Sequence, residues 1–117
     1  MRITRTALVT VALALAVTTA TARSTAAQDA AQIKHGQEVY AAQKCQMCHA
    51  IAGKGSKSNP LDGVGGKLSA ADLHEWLVNP DAQAAKKGEK PVMKMKSFKS
   101  LSADDLDSLV AYLQTLK

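Results

Sequence analysis

Cys45-Gln46-Met47-Cys48-His49 sets two thiols three residues apart and an imidazole directly after the second. Such a C-x-x-C-H run reads as an attachment site for c-type haem. Thiols at this separation can each add to a vinyl group of one porphyrin, and the adjoining imidazole can reach the iron from the same side. Chance coincidence of these residue types at these spacings is roughly a one-in-a-thousand event in a chain this long. A structural zinc site needs four ligands, and only Cys45, Cys48, His49 and either His35 or His74 could supply them, two being directly adjacent. A redox dithiol would want a βαβ context that this sequence lacks. An iron–sulfur cluster would usually need more than two Cys.

The chain has 117 residues, 46% apolar but only 3% aromatic, which allows one small domain with a thin core of its own. A large, flat, apolar cofactor would supply the centre around which the scattered apolar side chains pack. The N-terminus reads separately. Arg2 and Arg5 precede the apolar and small run Ala7 to Val17, and small residues at Thr25 and Ala27 offer a cleavage site, with an alternative cut after Ala22. Residues 1–27 are therefore expected to be an export signal and residues 28–117 a single haem-bearing domain. The apolar run falls short of the roughly 20 residues needed to span a bilayer, so stable membrane insertion is not expected.

The formal charge of +5 includes all three arginines, Arg2, Arg5 and Arg23. From Gln28 onward 12 Lys face 10 acidic residues, a net of +2. With neither Arg clusters nor interleaved aromatics, this segment gives no support to nucleic-acid binding.

From Ala30 to Ala42, Ile33, Val39 and Tyr40 recur at helical spacing with Gly36 among them. Glycine is unfavourable within a helix unless another backbone approaches closely, so Gly36 points to a tight crossing. After His49 the glycines and Asn59-Pro60 predict a loop, without strand or helix, wrapped on the cofactor edge. Ser69 to Asp72 is a capping box opening a helix with Leu73, Trp76 and Leu77 inward and His74 towards solvent. Pro80 should end that helix near Asn79. Trp76 is expected against the cofactor, its indole N–H able to serve a propionate. The polar, Lys-rich stretch from Asp81 to Lys90 leads into Pro91-Val92-Met93-Lys94-Met95-Lys96-Ser97-Phe98, where one of two methionines is expected to be the second axial ligand. Ser102 and Asp105 cap a final helix with Leu106, Leu109, Val110, Leu113 and Leu116 as its apolar stripe. Crossing it on the first helix would set Gly36 and Tyr40 opposite Leu109 and Tyr112.

This order of parts resembles the class I c-type cytochromes: a Gly-and-aromatic first helix, C-x-x-C-H, a Gly/Pro loop, a Trp-bearing helix, a Met loop and a Leu-x-x-Leu-Val-x-Tyr-Leu helix. The resemblance runs from about Ile33 to Lys117. It implies a small all-α cytochrome c fold of three to five short helices and loops around one covalently attached haem c. It also implies thioethers at Cys45 and Cys48, and His49 as proximal ligand with its other ring nitrogen on the Pro60 carbonyl. The register of Met95-Lys96-Ser97-Phe98 makes Met95 the distal ligand, although Lys96 stands where the family often has Pro and Met93 lies close by.

A His/Met pair closes the iron to substrates, so the implied role is a non-enzymatic, monomeric, periplasmic electron carrier. It would shuttle between a dehydrogenase or cytochrome complex and a terminal oxidase or reductase. Lys86, Lys87, Lys90, Lys94, Lys96 and Lys99 would steer an acidic redox partner to an exposed haem edge. The alternative is a peroxidase-like enzyme or gas-binding haem protein with a labile distal Met.

Overall fold

The computed structural model describes residues 20–117, with side chains described from residue 29 onward. The positive n-region and apolar run of the expected export signal lie outside the described residues. The described residues form five helices: α1 (Ala20–Ala42), α2 (Val64–Lys67), α3 (Ala70–Val78), α4 (Pro80–Lys87) and α5 (Ala103–Gln114). Three short strands, β1 (His49–Ile51), β2 (Lys54–Gly55) and β3 (Asn59–Pro60), lie between α1 and α2. The described chain is thus mostly helical and carries a small sheet.

Helix α1 starts ten residues before the expected Ala30, and the residues ahead of Ala30 carry no apolar stripe by which the sequence could mark them. Helix α5 starts where expected. Its N-cap Ser102 hydroxyl accepts from the Asp105 amide at 3.1 Å, and Asp104 and Asp105 sit at the positive end of the helix dipole. Helix α3 is capped likewise, with the Ser69 hydroxyl accepting from the Asp72 amide at 3.1 Å.

Helices α1 and α5 cross closely at Gly36. A Cβ there would run into the Ser108 carbonyl oxygen and approach the Ser108 carbonyl carbon and Tyr112 Cβ to 2.7 Å each, so glycine permits the crossing. One turn along, the Tyr40 and Tyr112 rings meet edge to face at 5.8 Å between centroids and 74° between planes. The expected crossing therefore forms, with Ser108 as well as Tyr112 against the glycine. His35 Nε2 ties the same two helices through Asp105 Oδ1 at 2.7 Å. The buried core joins Val39 of α1, Leu73 and Leu77 of α3, Phe98, and Leu106, Leu109, Val110 and Leu113 of α5.

One sequence expectation is corrected, and one helix absent from the sequence reading is added. The stretch after His49 is not a loop without strand or helix: α2 (Val64–Lys67) lies among its glycines, and residues 49–60 contribute three strands. Strand β1 pairs antiparallel with β2 (Ala50 opposite Gly55) and parallel with β3 (His49 opposite Asn59). Strands of two or three residues carry no alternation to read, and their pairing depends on a tight turn at Ala52 and Gly53, both at positive φ. At Gly55 a side chain would strike the His49 carbonyl oxygen and come within 2.9 Å of the Gln46 carbonyl oxygen. Only glycine lets β2 lie this close to the C-x-x-C-H turn. The Lys-rich stretch after Pro80 contains α4, with Pro80 at its first turn and Gly88 in the left-handed conformation at its end. It buries only Pro80, Gln83 and Ala84, too little apolar surface to produce a stripe.

A candidate haem-binding cleft

Cys45 opens a short 3₁₀ turn to Met47, closed by the Cys48 amide donating to the Cys45 carbonyl at 3.1 Å. His49 follows as the first residue of β1. Its Nδ1 lies 2.9 Å from the Asn59 carbonyl oxygen. Because a carbonyl only accepts, Nδ1 carries the proton, which leaves the Nε2 lone pair for a metal. The carbonyl that orients the imidazole is therefore that of Asn59, not Pro60. Parallel pairing sets Asn59 opposite His49 and moves Pro60 on to Ala50, where the Leu61 amide donates to the Ala50 carbonyl at 2.8 Å. Pro60 instead lines the cleft.

That cleft has a volume of about 690 Å³. Leu61, Val64 and Leu68 form part of its wall, with Leu73 and Leu77 from α3 and Leu109 and Leu113 from α5. Tyr40, Cys45, His49, Pro60, Trp76, Met93 and Met95 also line it. Both size and apolar lining suit a large organic cofactor. Cys48 is exposed and stands outside the lining, beside Cys45 in the turn, and both thiols are free. Burial pushes the Cys45 thiol pKa up, so its sulfur faces the cleft uncharged.

The methionines differ. Met95 is half-buried and packs against the core, whereas Met93 is 71% exposed. Trp76 is half-buried on the cleft wall, and His74 is half-exposed on α3. The Tyr40 hydroxyl, missed in the sequence except as a packing aromatic, is buried without a hydrogen-bond partner among the described residues. Burial above all, with the nearby Cys45, Tyr112 and Asp62, pushes its pKa up to about 12, so it stays a donor. A buried donor on the wall of an apolar cleft, with Cys45, the free Nε2 of His49 and a thioether on the same cleft, fits a metalloporphyrin. Among the described residues the donor cluster of metal-ligating type is His35 with Asp104 and Asp105, which includes neither Cys45, Cys48 nor His49.

The six lysines are exposed but not equivalent. Lys87 pairs with Asp72 at 3.2 Å and Lys94 with Asp81 at 3.3 Å. The Lys96 ammonium lies over the Phe98 ring, 5.4 Å from its centroid. Lys86, Lys90 and Lys99 have no carboxylate partner among the described residues. No helix among the described residues is long and apolar enough to cross a membrane.

No solved structure matches the chain. Cytochrome c oxidase subunit 2 of Alkalihalophilus pseudofirmus is similar to it, 30% identical over 91 residues, which cover 70% of this chain and 25% of that protein. The chain thus spans about a quarter of the length of that relative. A family model for cytochrome c matches residues 33–117, the span that holds the C-x-x-C-H turn, the cleft and the helix crossing over it. The chain belongs to the cytochrome c family, whose members carry covalently bound haem c and transfer electrons.

Proposed function

We propose that this protein is an exported, monomeric one-electron carrier for a single haem c, which Cys45 and Cys48 would hold by thioethers and His49 and Met95 by their donor atoms. The observation that carries the reading is the meeting of Cys45, the oriented His49 and the half-buried Met95 on one apolar cleft. The bound haem supplies an iron that changes oxidation state by one electron. Asn59 fixes the His49 tautomer and leaves Nε2 as donor. Met95 would offer its thioether sulfur as the second protein ligand; a soft donor of this kind favours the reduced metal and would leave no place for a substrate. Leu73, Leu77, Leu109 and Leu113 exclude water from the cleft and disfavour the more highly charged oxidised form.

Lys86, Lys90, Lys96 and Lys99 offer positive charge for transient docking of an acidic redox partner. The likeness to part of an oxidase subunit supports a terminal oxidase as electron acceptor. The leader-like residues 1–27 support export to the periplasm.

The test is an optically monitored redox titration of the haem-loaded protein with carbon monoxide added to the reduced form. One single-electron transition at positive potential, unshifted by carbon monoxide, is expected. A high-spin spectrum or a carbon monoxide complex would replace this reading with a ligand-binding or peroxidase-like one.

A further inference from the structure

Residues 88–98 between α4 and Phe98 contain no helix or strand, yet Met95 must be held within this stretch if it is to act as a ligand. Its fastening comes from α3. The last carbonyls of a helix have no partner within it, and the chain leaves α3 at Asn79, whose φ of −133° and ψ of 60° are not helical. In an unbroken helix the carbonyls of Leu77 and Val78 would accept from the amides of residues 81 and 82. Here the Leu77 carbonyl accepts from the Phe98 amide at 2.7 Å, and the Val78 carbonyl accepts from the Ser97 hydroxyl at 2.7 Å.

Building on the proposed ligand set, we infer that Ser97 is the positioning residue for Met95: with the Phe98 amide, it fastens the methionine segment to carbonyls left open where α3 breaks. Ser97 is two residues from Met95 and half-buried, so this bond is shielded from competing water. Phe98 anchors the next position in the core beside Leu73 and Leu77. On the other side of Met95 the tie is the exposed Lys94–Asp81 ion pair, a kind of contact that contributes little. Restraint on Met95 is therefore one-sided. Met93, beyond that ion pair, is unfastened by comparison.

The test uses the full haem-loaded protein, oxidised, with imidazole as the competing ligand and the methionine–iron charge-transfer band as readout. Imidazole gains access only as the Met95 sulfur leaves, so its apparent affinity reports how firmly the loop is held. Ser97→Ala is expected to bind imidazole about 5-fold more tightly, the effect of losing one hydrogen bond of this kind. Ser97→Thr, which keeps the hydroxyl, is expected to match the parent. Ser97→Gly is a second hydroxyl-free variant, so a maturation failure of one leaves the comparison intact. Val110→Ala, a core truncation off the cleft, should lower the melting temperature without changing imidazole affinity. If it raises affinity as much as Ser97→Ala does, the effect is general loosening and the inference fails. Parental affinity in Ser97→Ala, together with loss of the band in Met95→Ala, would overturn the role of Ser97 and leave the ligand set standing. A band that survives in Met95→Ala would overturn the ligand set, and the role of Ser97 with it.

Discussion

Replacing Gly36 with alanine puts one methyl group into the crossing of α1 and α5. Two of the three atoms it meets belong to the Ser108 backbone and the third is Tyr112 Cβ, so no flexible side-chain end can swing away. An ordinary carbon contact needs about 3.5 Å or more, and the Ser108 carbonyl carbon and Tyr112 Cβ stand at 2.7 Å, so the helices must part by a large fraction of an ångström. Such overpacking costs about 1–3 kcal/mol, and disturbing the Tyr40–Tyr112 edge contact adds about 0.5–1.5 kcal/mol. Alanine returns about 1 kcal/mol through helix propensity. The net loss is about 2 kcal/mol, or a fall in melting temperature of about 8–16 °C for a domain this small. The assay is thermal unfolding of the haem-loaded protein followed by visible absorbance and circular dichroism. Gly66→Ala is the matched control, because a Cβ at Gly66 of α2 meets nothing within 4 Å, and it should melt at or slightly above the parent. A Gly36→Ala protein as stable as Gly66→Ala would refute the close-crossing argument.

The His35 tether gives a pH dependence. Its pKa is raised, chiefly by the hydrogen bond to Asp105, with Asp104 and Glu38 also facing the ring. The stabilisation is therefore complete below the unfolded value of about 6.5 and disappears as pH rises through the higher folded value. Melting temperatures from pH 5 to 9 should show that step in the parent and not in His35→Gln. Met93→Ala should keep the methionine–iron band of the ferric protein, since Met93 is mostly exposed, and loss of the band would make Met93 the ligand. Reversing charge with Lys96→Glu and Lys99→Glu should slow electron transfer to an acidic partner severalfold at low salt and converge with the parent at high salt. Equal stopped-flow rates at both ionic strengths would reject electrostatic steering.

What could be read from the chain alone is what local chemistry enforces. The C-x-x-C-H spacing is set by the covalent chemistry of two thiols and one imidazole, and the caps at Ser69 and Ser102 are settled within four residues. Gly36 was legible because a helical glycine in an apolar stripe has few explanations besides a close neighbour. Long-range register was not. Whether His49 meets Asn59 or Pro60 depends on a parallel pairing of two short strands, and one residue of slip changes the answer. Helix α4 was hidden because its inward face is Pro80, Gln83 and Ala84, and Gln83 is buried by its bond to Asp72 at 3.0 Å. Pro80 and Gly88 did mark its two ends. The Tyr40 hydroxyl and the Ser97 fastening depend on what surrounds them in space, which no spacing rule encodes.

The meeting of α1 with α5 also has a consequence for how the protein is made. His35 and Asp105 are 70 residues apart, and Leu106, Leu109, Val110 and Leu113 of α5 form half of the buried cluster. A nascent chain that has not yet reached residue 113 cannot close its core. Cys45 and Cys48 therefore remain on an open chain throughout synthesis of the segment that follows them. The order of the parts thus leaves both thiols accessible for as long as the last core residues are not in place.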